Sequence, residues 1–135
     1  FRSRVKTDGS IENLRHNPMN TNSLCSNFVR SCCEDNSGDL WIGTFNGLNR
    51  YDRETGKFHL YTANGNSPDG LTHSSIWCIV KDGQGTIWLG TYFGGVNYFN
   101  PEYEIYTRYK VGDTEKAGLS SPIVGRMTED KDGNL

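Results

Sequence analysis

The stretch Cys33-Glu34-Asp35-Asn36-Ser37-Gly38-Asp39-Leu40-Trp41-Ile42-Gly43-Thr44 returns as Val80-Lys81-Asp82-Gly83-Gln84-Gly85-Thr86-Ile87-Trp88-Leu89-Gly90-Thr91. It begins again at Thr128-Glu129-Asp130-Lys131-Asp132-Gly133-Asn134-Leu135. Trp41 and Trp88 stand 47 positions apart. A fixed period of that size restricts the chain to an array of like units, each burying its apolar face on the next. The correspondence runs well past the tryptophans. Leu24, Leu71 and Leu119 match, as do Asp35, Asp82 and Asp130, and Gly38, Gly85 and Gly133. Asn49-Arg50-Tyr51-Asp52 returns as Asn97-Tyr98-Phe99-Asn100 after a one-residue insertion near Phe93, and Phe58 and Tyr61 return as Tyr106 and Tyr109. Gly9, Ile11 and Leu14 precede Gly56, Phe58 and Tyr61 by the same 47 positions. The period thus divides the chain into the second half of one unit (1–22), two complete units (23–70 and 71–118) and the start of another (119–135).

Inside a unit the apolar period is two. Val29 to Cys33, Leu40 to Thr44, Leu48 to Tyr51 and Phe58 to Tyr61 are short β-branched or aromatic runs bounded by Gly, Asn, Asp or Pro, which predicts four strands joined by turns and no helix. Asp35-Asn36-Ser37-Gly38 and Asp82-Gly83-Gln84-Gly85 place Asp where its side chain hydrogen-bonds the backbone two residues on, and Gly where φ turns positive. Glu54-Thr55-Gly56-Lys57 suits a further hairpin turn, and Thr62 to Thr72, rich in Asn, Gly, Ser and Pro, is the connection to the next unit. Four antiparallel strands in a unit of this length describe a β-propeller blade, so the expected fold is all-β, an incomplete propeller.

The pattern Glu-Asp-x-x-Gly-x-Leu-Trp-Ile-Gly-Thr, then Gly-Leu-Asn-Arg-Tyr-Asp, then Phe-x-x-Tyr, with a linker ending in Gly-Leu-Ser/Thr, resembles the two-component regulator propeller repeat, from about Gly9 to Leu135. The resemblance implies the periplasmic sensor of a hybrid two-component system of the kind known from gut Bacteroidetes. Oligosaccharide fragments of complex glycans would be the ligand, and the signal would pass through a β-sandwich and a membrane helix to a histidine kinase outside this chain. Catalysis and a cofactor are not expected of this segment. Alternatives on the same scaffold are a propeller enzyme, such as a lyase or glycoside hydrolase, and a structural protein-interaction propeller. The first would need His and carboxylates converging on the central channel, which these units do not show.

Composition narrows the partners. No apolar stretch approaches the ~20 residues of a membrane span, so this segment is not expected to contact the membrane. A signal peptide, if there is one, is expected upstream. Fourteen basic residues against sixteen acidic ones give a net charge of −2, too balanced for a phosphate-backbone footprint, which argues against nucleic acid. Propellers close with roughly 4–8 blades. Two full units and two partial ones should therefore rely on the remaining blades of the same receptor, or on self-association, to cover their apolar faces.

Cys25, Cys32, Cys33 and Cys78 lack metal-ligand spacing, and adjacent Cys32 and Cys33 on a strand point to opposite faces, so they read as small buried apolar residues rather than a metal site. A bridge between Cys33 and Cys78 stays open. His16, His59 and His73 have no mutual spacing and read as solvated. Asp35 and Asp82 recur as turn formers, not as a catalytic pair. Gly83-Gln84-Gly85 and Gly94-Gly95 precede no helix and are not phosphate loops. Trp41 and Trp88 recur inside an apolar strand and read as packing between blades.

Other aromatics vary between units. Trp77 follows Ile76 on the innermost strand, where its equivalents are Arg30 and Gly125. The loop after Gly-Thr reads Phe45-Asn46 in one unit and Tyr92-Phe93-Gly94 in the next. In a propeller these loops and the blade-to-blade connections gather on one face, where specificity can be written without disturbing the blades. Phe45, Asn46, His73, Trp77, Tyr92 and Phe93 are therefore the candidate ligand-binding residues, with rings suited to stacking on sugars.

Overall fold

Residues 2–5, 7–63, 70–101, 105–109, 111 and 118–135 are described in a computed structural model. Period-two alternation becomes strand wherever Gly, Asn or Asp supplies a turn. The first pair is β1 (Arg2–Val5) with β2 (Ile11–Leu14). The next sheet runs β3 (Val29–Glu34), β4 (Leu40–Thr44), β5 (Gly47–Tyr51) and β6 (Phe58–Tyr61) in consecutive antiparallel order. A sheet of the same order follows in β7 (Ile76–Lys81), β8 (Ile87–Thr91), β9 (Val96–Asn100) and β10 (Ile105–Tyr109). Among the described residues there is no helix, hence none long and apolar enough to cross a membrane. Residues 64–69 of the Thr62–Thr72 connection and the side chain of Tyr106 lie outside the described residues.

The repeated turns fold alike because their chemistry repeats. Asp35 Oδ1 accepts the Ser37 amide at 2.9 Å, Asp82 Oδ1 that of Gln84 at 2.9 Å, and Asp130 Oδ1 that of Asp132 at 2.9 Å. Gly38, Gly85 and Gly133 close these turns at φ 88°, 90° and 82°, a region that suits glycine. At the hairpin between β5 and β6, Asp52 takes the amides of Glu54 and Thr55, and Gly56 has φ 71°.

Alternation then sorts the side chains between two cores. Leu40 and Ile42 join Leu14, Leu24 and Tyr51, while Trp41 between them joins Ile76, Ile79, Ile87 and Phe99 of the following sheet. Cys32 packs with the first group and Cys33 with the second, as adjacent strand residues must. The sheets therefore meet face to face as blades, with β3 and β4 against β7. Ile79 donates its amide to Ser31 Oγ at 3.0 Å across the two innermost strands. Burying a large apolar side chain in such an interface stabilises by roughly 1.5–3 kcal/mol.

Trp41 is fully buried, with Tyr61 stacked at 5.7 Å and Phe99 of the next blade tilted at 4.9 Å. Trp88 occupies the same position in its blade but is half-buried. Its ring neighbours, Tyr98 at 4.8 Å and Tyr109 at 6.4 Å, belong to its own sheet, and no ring of a following blade lies against it among the described residues. The four cysteines are free thiols, with Cys78 buried and the others half-buried, so Cys33 and Cys78 are unbridged.

Candidate functional site: an aromatic face at the loop end of the blades

The strands β3 and β7 each carry a bulge at one register position. Val29 pairs with Thr44 and Ser31 with Gly43, leaving Arg30 extra; Ile76 pairs with Thr91 and Cys78 with Gly90, leaving Trp77 extra. A bulge re-aims the side chain of the unpaired residue without ending the sheet. Arg30 and Trp77 are thus equivalent residues on successive innermost strands, and the Arg30 guanidinium carbon lies 5.3 Å from the centre of the Trp77 ring, within cation–π range. Gly125 takes the same place in the next unit, and a Cβ there would stand 3.6 Å from Trp77 Cε3. The small residue leaves room for the indole.

The loops beside the bulges are anchored by buried threonines. Thr44 and Thr91 each donate the hydroxyl to a carbonyl, Gly47 and Gly95, at 2.9 Å, and accept the amides of Asn46 and Gly94 at 3.1 and 2.9 Å. With the threonine fixing the backbone, the tip residues are free to differ. Phe45 and Phe93 are more than half exposed, at 52% and 55%. Tyr92 turns inward and stacks on Trp77, ring centres 5.1 Å apart and planes 20° from parallel, while Phe93 meets Tyr92 edge-on at 4.4 Å.

The linker before β7 supplies the remaining wall. Buried Asn97 accepts the Thr72 amide at 3.0 Å and donates to Thr72 Oγ1 at 2.7 Å. One blade earlier, buried Asn49 accepts the Cys25 amide at 3.1 Å. His73 follows this anchor, its ring 6.3 Å from Tyr92 and 6.4 Å from Phe93. His73 Nδ1 accepts the Ser75 amide at 3.0 Å, so the neutral ring carries its proton on Nε2.

Phe45, Asn46, His73 and Tyr92 line one cavity of about 450 Å³ with Ala63, Thr72, Ser74 and Ser75. Trp77 does not line it but backs its Tyr92 wall, and Phe93 packs on Tyr92 and His73. All six candidate residues therefore lie in one continuous neighbourhood. Sequence reasoning missed Arg30 and Ser75 as members. The signal for Arg30 was its equivalence to Trp77; Ser75 gave none.

A second cavity, about 230 Å³, opens at the opposite end of the blades between the turns carrying Asp35 and Gly85. Its Arg50 is committed to Asp39, with Nη2 and Nε at 2.8 and 2.9 Å from one carboxylate oxygen. Among the described residues, no three His, Cys, Asp or Glu side chains come together as a metal site.

The blade geometry agrees with known proteins. Residues 23–46 and 70–93 match the family model described as two component regulator propeller. Two segments of the chain are thus similar to the two-component regulator propeller repeat. Each matched segment runs from the end of a linker through the innermost strand, the Asp-Gly turn and the second strand to the loop tip of one repeat. Among solved structures, one extracellular domain of a hybrid two-component system from B. thetaiotaomicron superposes with TM-score 0.73 and 26% identity. That match covers 82% of this chain and 15% of the other. A second such domain from the same organism gives TM-score 0.62 at 23% identity, covering 90% of this chain and 16% of that one. Virginiamycin B lyase from Staphylococcus aureus shares the fold, with TM-score 0.56 at 17% identity over 86% of this chain and 36% of that one. This chain therefore spans a small part of the solved domains it resembles. No curated protein matches it.

Proposed function

We propose that these repeats form part of the periplasmic sensor of a hybrid two-component system. In this reading they bind an oligosaccharide at the aromatic face, and the bound state is passed to a histidine kinase outside the chain. The observation that carries the reading is the Trp77–Tyr92 stack at 5.1 Å backing a cavity whose rim holds exposed Phe45. Rings lining a cavity give the apolar C–H face of a pyranose a surface to cover, and the hydroxyls at its edge would meet Asn46, His73 and Ser74. Blade residues such as Trp41 and Asn49 have no such freedom, because each is spent on the fold. The segment acts by binding alone, without catalysis or a cofactor, and the remaining blades of the receptor complete the ring.

Calorimetry on the intact ectodomain with a panel of plant and host oligosaccharides tests the reading. Tyr92→Ala and Trp77→Ala should weaken the bound sugar by about tenfold or more in an ectodomain that still melts cooperatively. Undiminished binding in both variants removes this face from the ligand site.

A further inference from the structure

The loop end and the turn end of the blades differ in charge. Asp35, Asp39, Asp52, Glu54, Asp82 and Asp130 all lie at the turn end, where β3 meets β4, β5 meets β6, β7 meets β8, or the third repeat turns. At the loop end, the described segments 23–28, 45–46, 70–75, 92–95 and 118–124 contain no carboxylate. The linker carboxylates Asp69, Asp113 and Glu115 fall outside the described residues. The ionisable groups bordering the aromatic stack are Arg30, exposed and making no ion pair among the described residues, and His73.

Hydrogen-bonding capacity is skewed the same way. The Trp77 indole N–H, a donor that can do nothing else, is buried with no acceptor among the described residues. The Ser75 hydroxyl, on a residue 3% exposed that lines the cavity, is likewise without a partner there. A buried donor without an acceptor is costly, and the structure makes the deficit twice at one end of the blades. Among the described residues, this face presents no carboxylate and leaves the Trp77 donor without an acceptor.

We propose that the ligand of this face is an anionic oligosaccharide, its carboxylate or sulfate group drawn to Arg30 while a neighbouring pyranose covers the Tyr92–Trp77 stack. The inference rests on the sugar-binding reading above and adds the ligand's charge to it. A guanidinium already held over an indole is pre-organised, so it pairs with a planar carboxylate or a sulfate at little ordering cost. A guanidinium beside the site also raises the rate of encounter with an oppositely charged ligand, in a manner that salt weakens.

The experiment uses the intact ectodomain and three probes: an oligogalacturonide, the same oligomer with its carboxylates reduced to alcohols, and a sulfated galactan oligosaccharide free of uronate. At least one charged probe should bind about tenfold more tightly than the reduced one, with affinity falling as salt rises. Preference for the oligogalacturonide assigns a carboxylate, and preference for the galactan assigns a sulfate. Arg30→Gln should remove most of that preference, and Arg30→Lys should restore part of it, while Tyr92→Ala weakens charged and reduced probes alike. Equal affinity for charged and reduced probes, with Tyr92→Ala still weakening both, overturns the anionic assignment and leaves the sugar site standing. Indifference to Tyr92→Ala and Trp77→Ala overturns the site itself. Failure of both charged probes to bind also overturns the proposal.

Discussion

One aspartate per blade ties a turn to a tryptophan, and its two oxygens divide the task. Asp35 Oδ1 takes the amides of Ser37 and Asp39 at 2.9 and 3.0 Å, and Oδ2 takes the Trp41 indole N–H at 2.8 Å. Asp35→Ala would strand an indole donor in a fully buried site and release two turn amides, so a loss of about 3 kcal/mol is expected in urea unfolding. Asp82 repeats the pattern with Gln84, Thr86 and Trp88. Burial works to raise the pKa of Asp82, but the bonds from Trp88, Thr86 and Gln84 together outweigh it and hold the carboxyl below its ordinary 3.8. A carboxyl whose folded pKa lies below its unfolded one adds stability above the unfolded value and loses it as pH falls through the folded value. Urea midpoints should therefore decline below pH 3.8, and Asp82→Asn, less stable at neutral pH, should show a shallower decline. Cys33 behaves oppositely to a reactive thiol. Burial first, then the neighbouring Cys32 and Asp35, push its pKa up to about 12 against a smaller opposing pull from Lys81. Iodoacetamide at mildly alkaline pH should spare Cys33 in the folded protein and modify it after denaturation, as peptide mass analysis would show.

At the scale of a strand, glycine decides how closely blades approach. A Cβ on Gly43 would stand 2.7 Å from Ile76 Cγ2 and 3.1 Å from Ile79 Cδ1, both on the innermost strand of the next blade. Gly43→Ala should therefore destabilise by about 1–3 kcal/mol through overpacking, read from thermal and urea unfolding. Ile79→Val in the same chain, which removes the Cδ1 methyl at 3.1 Å, should recover part of the loss. The strands themselves were legible in the sequence, since Leu40–Thr44 and Phe58–Tyr61 begin and end where alternation met turn chemistry. The bulges were not. An extra residue at Arg30 or Trp77 leaves the composition of the run unchanged and shows only in the register of pairing, where Val29 and Ser31 oppose adjacent residues Thr44 and Gly43. Yet the bulge is what gives Trp77 its aim, so the sequence could mark this position as variable without indicating where its ring would point.

For the whole molecule, the period was enough to bring Phe45, Asn46, His73, Trp77, Tyr92 and Phe93 to one end, because strands that alternate in direction send every second connection the same way. Their mutual distances were not legible. The Arg30 contact depends on how far one blade is rotated against the next, which no single unit encodes, and the Trp77–Tyr92 stack, inside one blade, depends on the bulge in β7. The same rotation sets the fate of the tryptophans. Trp41, closed in by Phe99 of the following blade, should cost about 3–5 kcal/mol when replaced by Ala. Trp88→Ala should cost about half as much in this chain, because half-burial forfeits part of the transfer energy. Beside Trp88 lies an apolar cavity of about 300 Å³ lined by Val96, Leu119, Val124 and Met127, with Tyr109 and Leu135 at its exposed edge. In the proposed receptor another blade would cover this surface; in residues 1–135 alone, a second copy should do so. Light scattering should then show mass rising with concentration, and Trp88→Asp should abolish the rise while Phe45→Asp, at the loop end, leaves it intact. A monomer at all concentrations, or a rise indifferent to Trp88→Asp, would mean that this face is not the one that recruits a neighbour.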